Sequence, residues 1–130
     1  MASIFTKIIN KEIPGFIIAE TESAVAFLDV FPLAKGHVLV VPKKEIDYIF
    51  SIEDTLLSEM MVFSKKIALA IEKAIPCKRV GVAVIGLEVP HAHIHLIPLQ
   101  TVQDINFTRE KLKVPQEEMA QIADSIKKHL

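Results

Sequence analysis

His91, His93 and His95 alternate with Ala92, Ile94 and Leu96, so three of the chain's five histidines fall within five positions. In an extended chain, alternate side chains project to one face. The spacing therefore predicts a row of imidazoles about 6.5–7 Å apart along a strand, with the apolar set turned to the core. An imidazole can donate and accept a proton near neutral pH. A row can divide labour, with one ring attacking, another supplying a proton or positive charge, and a third fixing orientation. Two other readings stay open on spacing alone. One is the polar side of a half-wet strand, although lysine, threonine or glutamate would solvate it equally well. The other is a metal site, since zinc accepts three histidines. The outer pair lies about 13 Å apart by strand rise, so two rings reach one ion and a third hardly does. No carboxylate cluster supports it, although Glu88 is near.

The elements that must hold this row follow from period and breakers. Ile4 to Ile9 predicts a short helix, ended by Pro14-Gly15. Phe16 to Glu20 and Ala24 to Asp29 read as strands joined at Thr21-Glu22-Ser23, and Pro32 ends the second. His37 to Val41, opened by Gly36 and stopped by Pro42, is continuously apolar after His37 and predicts a central strand. Ser51-Ile52-Glu53-Asp54 resembles a capping box, predicting a helix from Ser51. Leu56, Met60, Phe63, Ile67, Ile71 and Ala74 then recur every three or four residues, up to Pro76. Leu57, Met61, Ala68 and Ile75 widen that face enough to contact the sheet and a second subunit. Val80 to Ile85 and His91 to Leu99, the latter closed by Pro98, read as the last two strands around a Gly86–Pro90 turn. A final helix starts at Pro115, with Met119, Ile122, Ala123 and Ile126 inward. The order predicts an α+β fold: a mostly antiparallel sheet of about five strands with helices packed on one face.

Composition narrows the partners. The 130 residues suit one domain, taken as 1–130. A net charge of −1 gives no electrostatic engine for polymeric nucleic acid, whereas a compact nucleotide needs only local donors. No apolar run approaches the ~20 residues that span a bilayer. The first residues, Met1 to Lys7, lack the apolar core of a signal peptide. Cys77 is the lone cysteine, so no internal disulfide or Cys-x-x-Cys zinc motif exists. The expected setting is the reducing cytoplasm.

The run His91-Ala92-His93-Ile94-His95-Leu96-Ile97 resembles the signature of the histidine triad (HIT) family, three histidines alternating with hydrophobic residues. The likeness spans roughly Ile4 to Leu99. Ile4-Phe5-Thr6-Lys7-Ile8-Ile9-Asn10-Lys11-Glu12-Ile13-Pro14 is similar to the start of Hint-type members. Ala26-Phe27-Leu28-Asp29-Val30-Phe31-Pro32 and Lys35-Gly36-His37-Val38-Leu39-Val40-Val41-Pro42 follow in the same order. The resemblance implies a homodimer with sheets joined edge to edge. It also implies metal-independent hydrolysis or nucleotidyl transfer at the α-phosphate of a nucleotide conjugate, with no cofactor. Phosphoramidates and dinucleoside polyphosphates are the substrate types. His93 matches the nucleophile that forms a nucleotidyl-histidine intermediate. His95 and His37 match histidines lining the phosphate site, and His91 the one that steadies the nucleophile. Asp29 matches the acid that binds ribose hydroxyls, and Phe5, Ile8, Phe27 and Val30 the apolar base pocket. On residue type alone, core packing, a strand end and a strand start remain alternatives for the apolar four, Asp29 and His37 respectively.

The sequence departs from the family pattern just before the triad. Gly86-Leu87-Glu88-Val89-Pro90 stands where Gly-Gln-Ser/Thr-Val is usual, and an upstream asparagine is absent. A carboxylate at Glu88 repels phosphate but attracts an amine-bearing leaving group. The Cys-x-x-Cys zinc feature of some relatives is missing too, so no structural metal is expected. A nucleotide-binding or scaffold protein of the same fold with little turnover is the alternative.

Overall fold

A computed structural model describes residues 2–130; Met1, which opens the N-terminal run read above, lies outside the described residues. The Ser3 hydroxyl accepts the Thr6 N–H at 3.0 Å and so caps the short helix α1 (Ile4–Ile9), which buries Phe5 and Ile8. The strands β1 (Ile17–Glu20), β2 (Ala24–Leu28) and β3 (Val38–Pro42) form a meander. The long helix α2 (Asp54–Ala74) crosses the sheet and leads to β4 (Arg79–Ala83) and β5 (Ile94–Leu99). Helix α3 (Gln116–Lys127) closes the chain. The sheet order is β1-β2-β3-β5-β4, antiparallel throughout. Among the described residues, no helix is long and apolar enough to cross a membrane.

Strands β2 and β3 are buried at every position, as their unbroken apolar runs demand. Ala24, Ala26, Leu28, Val38 and Val40 pack with α2 and α3. The alternate residues Val25, Phe27, Leu39 and Val41 pack with Phe5 and Ile8 of α1. Helices therefore cover both faces, not one, because α1 folds back under the hairpin. This second face matters for the histidines: His95 stands opposite Leu39 in the β3–β5 ladder and shares its side.

Strands β1 to β3 differ from expectation by one residue at one or both ends, with Pro42 inside β3 rather than stopping it, and other boundaries shift further. Ser51 does not cap α2; it ends a 3₁₀ turn over Ile49–Ser51. Ile52, 4% exposed, is drawn into the core as extended chain, so the helix waits until Asp54 and its N-cap Glu53 makes no side-chain bond. Strand β4 ends at Ala83 rather than Ile85, leaving Val84 and Ile85 exposed. Strand β5 starts at Ile94 rather than His91. Pro98 does not close that strand but lies within it opposite Val80, past the last β3 pairing at Leu96, where its missing N–H costs no ladder bond to β3.

Candidate active site

Backbone groups dictate how each histidine holds its proton. His37 sits one residue before β3, after Gly36, whose φ of 95° turns the chain into the strand. The Leu33 N–H donates to His37 Nδ1 at 3.0 Å, so that nitrogen is bare. The proton of the neutral ring is then on Nε2, which donates to His95 Nδ1 at 2.9 Å. His95 in turn carries its proton on Nε2. Burial pushes both rings down to about 3, reinforced by neighbouring imidazoles and Lys111, so both are neutral at pH 7.

His93 has the opposite tautomer. Its Nδ1 lies 2.8 Å from the His91 carbonyl, which can only accept, so Nδ1 holds the proton and Nε2 keeps a free lone pair. Burial lowers its pKa, against the opposing effects of the His91 carbonyl and Glu88. His93 Nε2 and His95 Nε2 have no protein partner, and no buried polar side-chain atom among the described residues lacks one. Both nitrogens therefore open to the cavity that their residues line.

His91 is fully buried and stands behind this pair. Its Nε2 donates to the Pro42 carbonyl at 2.8 Å and its Nδ1 accepts the Ser3 hydroxyl at 2.7 Å. The expected row of three rings on one strand face is thus corrected. Residues 87–91 form a bend and 92–93 are irregular before β5, and the His93 and His95 rings close to 4.8 Å. His91 is a brace outside the cavity, its carbonyl setting the His93 proton and its ring tying α1 to the end of β3.

The cavity encloses about 400 Å³ between α1, the end of β2, and the loop before the triad. His37, His93, His95, Asp29, Phe5, Ile8, Phe27, Val30 and Glu88 all line it. Phe5, Ile8 and Phe27 also belong to the buried cluster under the sheet, so core and wall are the same residues there. The Phe5 ring meets His93 edge-on at 4.9 Å. Asp29 accepts the Phe31 N–H at 2.9 Å, and its other oxygen is 3.6 Å from His37 Nε2. Burial raises its pKa to about 6, opposed by the Phe31 N–H and Lys111. Since His37 is neutral, this contact is no ion pair.

Asp29, His37 and His95 place one ligand atom each within 4.8 Å of the others. Metal on His37 Nε2 would move the ring proton to Nδ1, where it would confront the Leu33 N–H. The hydrogen bonds in place suit a proton-ordered imidazole pair better than a metal.

Sequence reasoning missed one wall. Phe107, Thr108 and Lys111 also line the cavity, with the Phe107 ring 4.7 Å from His95. They lie between β5 and α3, outside any periodic run, so no spacing signal ties them to the triad.

The HIT domain family model matches residues 10–102. An uncharacterised HIT-like protein of Borreliella burgdorferi is 32% identical over 131 residues, spanning 95% of this chain and 94% of that protein. The adenosine 5'-monophosphoramidase of Saccharomyces cerevisiae is 39% identical over 102 residues, 75% of this chain and 62% of that protein. Among solved structures, a HIT-like protein of Bartonella henselae, 30% identical, matches with a TM-score of 0.85 over 98% of this chain and 96% of its own. With His93 and His95 of the signature at one cavity, His91 bracing them from behind, and the family match running through most of the sequence, the chain belongs to the HIT family.

Proposed function

We propose that this protein is a nucleotide hydrolase or nucleotidyl transferase acting at the α-phosphate of nucleoside phosphoramidates or related conjugates. One observation carries the reading: a neutral His93 whose Nδ1–H is fixed on a backbone carbonyl, leaving the Nε2 lone pair free in the cavity. Such an imidazole needs no activating base at pH 7. Its Nε2 bonds to phosphorus as the bond to the leaving group breaks; the leaving group departs with that electron pair and, where it is an amine, with a proton taken up from solvent. Water then attacks phosphorus and frees His93. The His95 Nε2–H offers a hydrogen bond to a phosphoryl oxygen where charge builds. Asp29 is assigned to the ribose hydroxyls, and Phe5, Ile8, Phe27 and Val30 to the base. The name of the yeast relative supports adenosine 5'-phosphoramidates as the first substrates to try.

Rapid denaturation in alkali after a single turnover with adenosine phosphoramidate labelled at phosphorus, which preserves a P–N bond to imidazole, tests this. Labelled wild-type protein and unlabelled His93→Ala are the expected result. Nucleotide binding with no label on wild type favours instead a binding or scaffold protein. The specific reason to keep that alternative is the loop before the triad, where Leu87 is 87% exposed and Glu88 replaces a hydroxyl. Activity lost to chelators would overturn the metal-independent mechanism. The setting proposed is a cytoplasmic homodimer, supported by exposed apolar residues Met61, Val62 and Leu69 on α2 and Val82 on β4. A monomeric mass in solution counts against the dimer.

A further inference from the structure

The segment between β5 and α3 is braced at both ends. Thr101 and Asp104 cap one another's backbone at its start. The Arg109 guanidinium donates to the Gln103 carbonyl at 2.6 Å, and the Leu112 N–H donates to the Pro32 carbonyl at 2.8 Å. The segment thereby lays Phe107 against His95 and brings Lys111 to the cavity. Lys111 Nζ donates to the Phe107 and Arg109 carbonyls, at 2.9 and 3.4 Å, and sits 5.9 Å from the Phe107 ring centre. An ammonium has three donors, so one remains. Among the described residues Lys111 forms no ion pair.

The charge balance of the cavity gives this cation a task. Lys111 is the one Lys or Arg among the cavity's described residues, facing two carboxyl groups, Asp29 and Glu88. The inner histidines are neutral and offer N–H dipoles rather than charge. Phosphate, by contrast, is an anion and needs a counter-charge.

We propose that Lys111 is a substrate-binding residue whose free N–H takes a non-bridging phosphate oxygen of the nucleotide held at the histidine cluster. This rests on the nucleotide reading above and assigns a role to a residue beyond the 10–102 span matched by the family model. Phe107 is the platform: its ring and carbonyl hold the ammonium beside the imidazoles.

Calorimetric titration of adenosine 5'-monophosphate and of adenosine separates phosphate binding from nucleoside binding. Wild type is expected to bind the monophosphate more tightly than adenosine. Lys111→Met and Lys111→Gln, which keep most of the stem, should lose about tenfold in monophosphate affinity, the scale of one charge-assisted hydrogen bond. Their adenosine affinity should not change, and Lys111→Arg should restore most of the difference. Unchanged monophosphate affinity in both neutral variants overturns the assignment. So does an equal loss for both ligands, which would mean Lys111 only supports the segment. If wild type binds neither ligand, the nucleotide reading itself falls, and this proposal with it.

Discussion

At the scale of single residues, function depends on which nitrogen carries a proton. His93 and His95 are identical side chains two positions apart, yet one presents a lone pair and the other an N–H. The difference comes from what their Nδ1 atoms meet, a carbonyl in one case and a donating imidazole in the other. Glu88 shows a subtler control. It is exposed at the rim, so its charge is largely screened and worth only a few-fold in rate. We expect Glu88→Gln to lower kcat/KM for amine-leaving substrates by about two- to fivefold relative to phosphate-leaving ones. Competition assays with both substrate types check this, and an unchanged ratio would sink the idea of amine preference. The 91–95 histidine run was legible in residue type and spacing, whereas His37, Asp29 and the apolar wall were reached only through the family resemblance. The tautomers were not: they depend on the carbonyls of His91 and Pro42 and the N–H of Leu33, and backbone partners leave no mark on residue type.

At the scale of elements, the site is held by junctions rather than by regular strand. The triad enters β5 from a bend, and His37 enters β3 from a left-handed glycine. Gly36 is required twice: its φ of 95° suits glycine, and a Cβ there would stand 2.9 Å from Ile75 Cγ1. Gly36→Ala should therefore cost about 1–3 kcal/mol of stability. Because His37 follows directly, the variant should also lose kcat as the His37–His95 hydrogen bond is displaced. Urea unfolding beside steady-state kinetics measures both; a variant of wild-type stability and kcat would show that the junction tolerates a side chain. Periodicity found every strand and α-helix among the described residues, since one-sided or continuous burial produces it. It misplaced the start of α2, because a capping pattern is local while the burial of Ile52 is tertiary. It also missed the 102–112 segment, whose order comes from caps and a single backbone bond to Pro32.

For the whole molecule, the cavity is a standing cost against folding, and its pH dependence has a definite sign. His37 and His95 fall from 6.5 to about 3 on folding. Between those values the unfolded chain binds more protons, so their contribution is complete above pH 6.5 and is lost as pH falls. His93 shifts the same way. Asp29 opposes them: its pKa rises from 3.8 to about 6, so its contribution is complete below 3.8 and is lost as pH rises through 6. Around pH 5 the two inner histidines outweigh the one acid, and stability should fall as the solution is acidified. The slope is about 1.4 kcal/mol per pH unit for a net difference of one proton. Asp29→Asn mimics the protonated acid and can still accept the Phe31 N–H. It should be more stable than wild type by about 3 kcal/mol at pH 7.5, with the two converging below pH 4. If Asp29 binds ribose, the same substitution should weaken nucleotide binding, so stability and affinity move in opposite directions. Urea midpoints from pH 4 to 8, read beside nucleotide titrations, test both halves. A variant no more stable than wild type at pH 7.5 would mean that the half-buried carboxylate carries no folding cost.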